Sequence, residues 1–384
     1  MTLNKRNIID YIISSAVLLQ SVLVIIELYW VDVVHMDEEL ATTYRVYLTA
    51  IPMSVALLLS GIRRPLLFLC TYLGAAIIFL LSVFFFPETQ DEALHLGSRF
   101  TFPLVIGSAL CLASVDNLAV INKTLYWLSY ITAAFALVYF YKIYTMLGGF
   151  SVTDYNMSFS YALLLPAAAL YAQKKPVPIL VAAGLFLMIV LMGSRGAAVF
   201  LVLYVFLDLV KNNKKILIPT LILSALVILL LPVLAIYLDS IGIESRTITS
   251  LMESDKSGHD SGRIDMYIQM LRVLEENWFT GIGLFGDRLY LDVYCHNLFL
   301  EVLLNFGMIF GTIILLLFGW FIVSVYHQAE IADKNVLLLY FMATVCPLLV
   351  SHSYLTDYNF GIFIGILICV AAHNRQTLSA PLTP

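Results

Sequence analysis

Charge is what this sequence has least of. Asp, Glu, Lys and Arg make up 12% of its 384 residues and hydrophobic side chains 61%, and the mean hydropathy is +0.92. Water-soluble domains carry about a quarter charged residues, so a soluble fold is excluded. Alternation is missing too: the apolar runs are continuous, which rules out a β-barrel whose strands alternate between lipid and lumen. Cysteine is scarce. Cys70, Cys111, Cys346 and Cys369 fall inside apolar runs, where a thiol behaves as a small hydrophobe. Only Cys295 has an expected external position, so no disulfide framework is expected. The histidines are dispersed without zinc-ligand spacing. No Asp-x-Asp pair occurs on a loop, Glu253-Ser254-Asp255 being the nearest to one. A site with neither metal nor cofactor is expected. The net charge of -5 carries no signal for nucleic acid, and none is expected as a partner. No internal repeat is evident, which weakens a transporter built from inverted halves.

What is present is apolar sequence almost end to end. A bilayer is crossed by about 20 predominantly apolar residues per helix. On that basis the chain reads as an all-α integral membrane protein of about twelve transmembrane helices, forming a single polytopic domain over 1–384. The expected spans are 10–30, 43–60, 65–86, 99–115, 124–147, 157–172, 176–192, 196–210, 216–237, 296–326, 335–350 and 359–372. Lys5 and Arg6 precede the first span, and no small-residue cleavage site precedes Trp30, so that span reads as an uncleaved helix.

Basic clusters set the orientation. Arg63-Arg64, Lys123, Lys174-Lys175, Lys211, Lys214-Lys215, Lys334 and Arg375 fall on one side together with Lys5 and Arg6. The connections on the other side are acidic, as in Asp37-Glu38-Glu39 and Glu88-Thr89-Gln90-Asp91-Glu92. Positive charge in short loops marks the cytoplasmic face, so both termini are expected inside. Before the tenth span, residues 239–295 form a long polar connection that falls outside. Long loops of this kind in a compact protein are usually functional. Within it Ile264, Tyr267, Ile268, Leu271 and Leu274 recur at helical spacing, with Arg272, Glu275 and Glu276 on the other side. That is an amphipathic helix suited to the membrane surface or to capping the bundle.

Ionisable residues at membrane spans are costly and default to functional candidates. Arg195, in Gly193-Ser194-Arg195-Gly196, is a cation in a short outer connection. It reads as a snorkelling anchor or as a bidentate clamp for phosphate. Arg263, in Ser261-Gly262-Arg263-Ile264-Asp265, follows a capping serine. A cation there opposes the helix dipole unless an anion joins it; the alternative is a surface pair with Asp260 or Asp265. His296 lies in Tyr294-Cys295-His296-Asn297-Leu298-Phe299-Leu300-Glu301, at the mouth of a span, beside an amide that can orient it. It reads as a general base near neutral pH or as an interfacial capping histidine. Glu301 either orients a neighbour or pairs with an arginine. Gly281-Ile282-Gly283-Leu284-Phe285-Gly286 copies the dinucleotide-binding pattern by letters only, with no preceding strand, and reads as a turn. Gly307 with Gly311, and Gly361 with Gly365, read as helix-packing faces.

The stretches Gly193-Ser194-Arg195-Gly196-Ala197, Ser261-Gly262-Arg263-Ile264-Asp265-Met266-Tyr267 and His296-Asn297-Leu298-Phe299-Leu300-Glu301, followed by Gly307, resemble the O-antigen polymerase and O-antigen ligase (Wzy/WaaL) superfamily. These are bacterial inner-membrane glycosyltransferases. The resemblance implies an undecaprenyl-pyrophosphate-linked glycan as donor and a glycan hydroxyl as acceptor, at a site facing the periplasm or exterior. It implies that Arg195 and Arg263 hold the pyrophosphate and that His296 activates the acceptor, with Tyr294, Asn297 and Glu301 as further substrate contacts. The bilayer, a chain-length regulator and a flippase are the other partners it implies. His-Asn followed by Leu-Phe-Leu-Glu, and the compact length, favour the polymerase of surface polysaccharide (O-antigen or capsule) over the ligase that uses lipid A-core. A secondary transporter or flippase for an anionic or lipid-linked substrate is the alternative from another class. It would place its ionisable groups near the bilayer midplane and break helices there.

Because no metal-ligand pattern occurs, glycan transfer by the purified protein is expected to persist in EDTA. Inhibition that a single added divalent cation reverses would overturn that expectation.

Overall fold

The computed structural model describes residues 5–148, 156–212, 263–291 and 293–379, and among them every regular element is a helix. The helices are α1 (Arg6–Val33), α2 (Glu38–Arg63), α3 (Pro65–Phe85), α4 (Pro87–Ala113), α5 (Leu118–Leu147), α6 (Met157–Ala172), α7 (Pro176–Leu191), α8 (Arg195–Asn212), α9 (Arg263–Glu276), α10 (Leu298–Gln328), α11 (Ile331–Leu349) and α12 (Tyr358–Ser379). Among the described residues 7 helices, namely α1 to α5, α10 and α11, are long and apolar enough to cross a bilayer. α6, α7 and the Tyr358–Asn374 part of α12 are shorter apolar helices. Each span expected from hydropathy coincides with a helix, except 216–237, which lies outside the described residues together with the loop up to residue 262.

Two of these helices show what surrounds them. Only 6% of the apolar window of α3 and 11% of that of α10 are buried within the protein. Leu66, Leu80, Phe84, Leu316 and Trp320 all point outward. Apolar surface of that extent facing water would be a large free-energy cost; facing lipid it costs nothing. The chain is an integral membrane protein, all-helical among the described residues.

It divides into two compact units. In the unit made of 18–52 and 122–259, Asn156 caps α6 by accepting the Phe159 N–H at 2.9 Å. The Tyr139 hydroxyl donates to Asp32 at 2.6 Å. Arg45 pairs with Glu27 at 2.6 Å, and Lys174 pairs with Asp208. Among the described residues these charges near helix cores are matched by partners.

The unit made of 1–17, 53–121 and 260–384 is held at one end by a cluster of ion pairs. Arg63 binds Asp10 and the Ser114 carbonyl, and Arg64 binds Asp116 at 3.0 Å. Along the same unit α12 lies directly on α4. A Cβ at Gly361 would strike the Val105 carbonyl, and one at Gly365 would stand 2.7 Å from that of Ala109, as a small-residue packing face requires.

Gly307 departs from the packing-face reading. It has φ 75° and ψ 167° and breaks α10. A helix cut in this way frees backbone groups that lipid cannot satisfy. The preceding segment satisfies them: Met308 N–H donates to the Trp278 carbonyl at 2.7 Å, and Ile282 N–H donates to that of Leu304 at 2.7 Å. So close an approach leaves no room for side chains. A Cβ at Gly307 would strike the Phe279 carbonyl, and one at Gly281 would stand 2.5 Å from Gly307 N. The amphipathic helix α9 packs beside this break. Met270, Val273 and Leu274 are buried against Ile282, Cys295, Leu300 and Leu304, with Tyr267 at the edge. Of the apolar stripe read from the sequence, Leu274 is buried here while Ile264, Ile268 and Leu271 are exposed. The packed face is turned toward Met270 and Val273 because those residues meet the start of α10.

Gly307→Ala is expected to lower the thermal midpoint of the detergent-solubilised protein, since a strained left-handed alanine alone costs about 1–3 kcal/mol before the clash is counted. Gly319→Ala, in the same helix with nothing within 4 Å of the added carbon, should leave the midpoint unchanged or raise it slightly. Equal midpoints for the two variants would remove the assignment of the break to Gly307.

Candidate active site

The start of α10 fixes the geometry here. Asn297 is extended (φ -150°, ψ 112°), and its side-chain oxygen accepts the Leu300 N–H at 3.1 Å, as an N-cap does. His296 precedes it with φ 54°, in the left-handed region that side chains other than glycine seldom adopt. Two contacts hold it there. The Tyr267 hydroxyl donates to the His296 carbonyl at 3.3 Å, and the Tyr294 ring lies 4.2 Å from the imidazole, centroid to centroid.

The imidazole has a defined tautomer. His296 Nδ1 is 3.1 Å from the Ser351 carbonyl oxygen. A carbonyl can only accept, so Nδ1 carries the proton and Nε2 keeps its lone pair. Tyr294 donates its hydroxyl to the same carbonyl at 2.9 Å. Burial holds the His296 pKa below its ordinary 6.5, and the positive charges of Arg263 and His352 add to this, while the Ser351 bond opposes it. Arg263, half-buried on α9, therefore acts electrostatically on His296, and it acts on Tyr267 and Tyr294 as well. Burial pushes the Tyr294 phenol up to about 12, so it stays a donor.

Behind the imidazole lies a buried polar network. Asp287 accepts the Cys295 N–H at 2.9 Å and pairs with Arg288 at 3.0 Å. Burial pushes the Asp287 carboxyl upward against the lowering by Arg288. The guanidinium donates to Ser353 at 3.4 Å and stands 3.9 Å from Glu301. It covers the Phe285 ring at 4.7 Å and the Tyr294 ring at 5.7 Å. Glu301, fully buried, accepts from Ser353 and from the Tyr354 N–H at 3.3 Å. Thr101 of α4 donates to the Leu355 carbonyl at 2.6 Å. Residues 351–355 are thus tied at both ends of the stretch that presents the Ser351 carbonyl.

The residues singled out from sequence separate into two groups. Arg263, Tyr294, His296, Asn297 and Glu301 lie in one unit, the last four joined by the contacts above and Arg263 by its electrostatic influence on His296 and Tyr294. Arg195 lies in the other, where it begins α8, with Gly193 at φ 78° before it and the Ser194 hydroxyl 3.4 Å from the Ala197 N–H. Ser261 and Gly262 lie outside the described residues. Sequence reading passed over Asp287, Arg288, Ser351 and Ser353. Asp287-Arg288 follows directly on the glycine turn, and an adjacent acid and base ending such a turn was the available signal. Among the described residues no three His, Cys, Asp or Glu side chains gather as a metal site would need.

Removing Glu301 strands Ser353, the Tyr354 N–H and part of the Arg288 charge. Breaking a buried charged network from one side costs about 3–5 kcal/mol. Glu301→Ala should therefore lower the unfolding midpoint sharply and Glu301→Gln much less; equal midpoints for wild type and Glu301→Ala would remove the structural role of this carboxylate.

No curated protein and no solved structure matches the chain. Residues 180–316 match the family model described as O-antigen ligase, a stretch that contains Arg195, Arg263, His296 and Glu301. Over that segment the chain is shown to resemble the O-antigen polymerase and ligase superfamily as a whole, rather than either activity singly.

Proposed function

We propose that this protein is a membrane glycosyltransferase that polymerises undecaprenyl-pyrophosphate-linked repeat units into surface polysaccharide of O-antigen or capsule type. The support is the O-antigen ligase family match across 180–316, joined by one geometric observation: an imidazole whose Nδ1 is held by a carbonyl, leaving Nε2 basic. In this reading the protein sits in the bacterial inner membrane with both termini in the cytoplasm and the His296 site on the outer face. A chain-length regulator and a flippase are its expected partners.

The acceptor hydroxyl gives its proton to His296 Nε2 as its oxygen attacks the anomeric carbon of the donor. The bond from that carbon to the pyrophosphate oxygen breaks, and the leaving group departs with both bonding electrons. A single displacement of this kind inverts the anomeric centre. Arg263 and Arg195 hold the pyrophosphate, where planar guanidinium groups match phosphate oxygens and stabilise the charge that develops on them. Arg195 carries this role by its place in the resembling motif. Arg263 carries it additionally by its electrostatic reach to the imidazole. Cationic neighbours also keep His296 unprotonated until the acceptor proton arrives. Tyr294 and Asn297 border the reacting groups. Glu301 serves by fixing the 351–355 segment. Transfer to lipid A-core, the ligase reaction, shares every one of these steps and differs in the acceptor.

His296→Asn, a residue that tolerates the left-handed backbone, should leave the protein folded while single repeat units accumulate on the lipid carrier and polymer disappears. Arg195→Ala and Arg263→Ala should give the same phenotype. Long-chain polymer at wild-type length from all three would sink the assignment. The assay is ladder formation from a synthetic lipid-linked repeat unit, with and without a lipid A-core acceptor. The pH dependence has a defined sign. A base with a lowered pKa is active above that pKa, so kcat/KM should hold at pH 6.5 and fall only at more acid pH. An acid limb centred at or above 6.5 would contradict the buried, cation-flanked imidazole.

A further inference from the structure

We infer that Arg288 is a positioning residue for the His296 base, tying the segment that carries the imidazole to the segment that carries its carbonyl partner without itself touching the ring. The inference rests on the reading of His296 as a general base.

Two segments must be held in register for Nδ1 to meet the Ser351 oxygen. One is 294–296, the other 351–353, and Arg288 makes contact with both. On the first side its guanidinium covers the Tyr294 ring at 5.7 Å, and that ring packs, tilted by 55°, against His296. It also pairs at 3.0 Å with Asp287, whose other oxygen takes the Cys295 N–H at 2.9 Å. On the second side it donates to Ser353 at 3.4 Å. Ser353 in turn donates to Glu301, which receives the Tyr354 N–H. A planar fork of donors suits one side chain to partners in several directions, which the single ammonium of lysine does not do. The geometry argues against a phosphate clamp. Its side chain is 8% exposed, lies against Phe285 at 4.7 Å and is already committed to Asp287 and Ser353.

The charged and titratable groups that face the imidazole are Arg263 and Tyr267 from α9, Tyr294 and Cys295 from its own segment, and His352. Asp287, Glu301 and Asp357 lie behind them, Asp357 paired with His352 at 3.6 Å. Loosening Arg288 opens this set to water without removing any member that faces the ring. A displacement of the base by about 1 Å is worth on the order of a hundredfold in rate.

The experiment compares wild type, Arg288→Gln, Arg288→Lys and Ser353→Ala by two readouts on the full-length protein in detergent. Polymerisation of the synthetic lipid-linked repeat unit gives kcat and KM. The rate at which diethyl pyrocarbonate modifies His296, followed by mass spectrometry across pH, gives its titration midpoint independently of any activity. Arg288→Gln should lose on the order of a hundredfold in kcat with KM for the donor unchanged, and the His296 midpoint should move up toward 6.5. Arg288→Lys should recover part of the loss. Ser353→Ala should shift both readouts in the same direction by less, and it carries the test if Arg288→Gln aggregates on size exclusion. A raised KM with kcat intact would make Arg288 a substrate cation and overturn the inference. So would a fallen kcat with an unmoved His296 midpoint, or no change in either readout. If the wild-type protein transfers no glycan to any acceptor, the proposed function fails, and the titration readout still decides whether Arg288 positions the imidazole.

Discussion

A carbonyl oxygen has two lone pairs and no proton, and the Ser351 carbonyl uses both on the same small region. It accepts from the Tyr294 hydroxyl and from His296 Nδ1. This one acceptor decides which imidazole nitrogen is free. Without it the two tautomers would be nearly equivalent, and a base at Nε2 would be present only part of the time. Much of the surrounding structure makes sense as a device for holding that oxygen still. Glu301 grips Ser353 and the Tyr354 N–H, and Thr101 grips the Leu355 carbonyl. Helix α12 starts just beyond, with Asp357 accepting the Asn359 N–H at 2.9 Å.

The other half of the arrangement depends on a broken helix. Lipid offers no hydrogen bonds, so a break is tolerated only where protein backbone supplies them. The segment 278–282 does so at Gly307, and the chain then turns through Gly283 and Phe285, both at positive φ, to deliver Asp287 and Arg288. Glycine is required for the same reason as in phosphate-binding loops, the close approach of another group to bare backbone. The group that approaches at Gly281 is a helix backbone and not a pyrophosphate. The transporter alternative also invokes broken helices, but there the freed groups line a midplane site. At Gly307 they are consumed by neighbouring backbone.

Fold class was legible from composition because lipid is an unforgiving solvent: continuous apolar runs have few solutions, and among the described residues helices occur where hydropathy placed them. The second-order features were not. Gly307 carries no mark separating a packing glycine from a broken helix, because the difference lies in what Phe279 and Gly281 do some thirty residues earlier in the chain. Which part of the apolar stripe of α9 packs against protein could not be read, since Ile264, Ile268 and Leu271 are as hydrophobic as the residues that pack. Lipid rewards exposed and buried leucines almost equally, so periodicity loses the power it has in water. His296 and Asn297 could be singled out because polar residues at a span boundary are conspicuous. Ser351 could not, since its contribution is a main-chain oxygen that every residue possesses.

Burial acts in opposite directions on the groups around His296, and both favour neutrality. It pushes the Asp287 carboxyl up and the His296 imidazole down, while Tyr294 stays protonated. The common cause is the low dielectric in which a lone charge is expensive. Such a site is quiet at rest and responds strongly when charge is created within it. In the proposed reaction a proton arriving at Nε2 makes an imidazolium, and departure of the pyrophosphate adds a negative charge to it. In an environment that poorly screens either, each stabilises the other far more than it would in water, provided both appear together. Coupling proton transfer to departure of the leaving group therefore costs less than taking the steps in sequence, and Arg263, whose charge already reaches the imidazole, is suited to favour the anion and to disfavour an imidazolium formed without it.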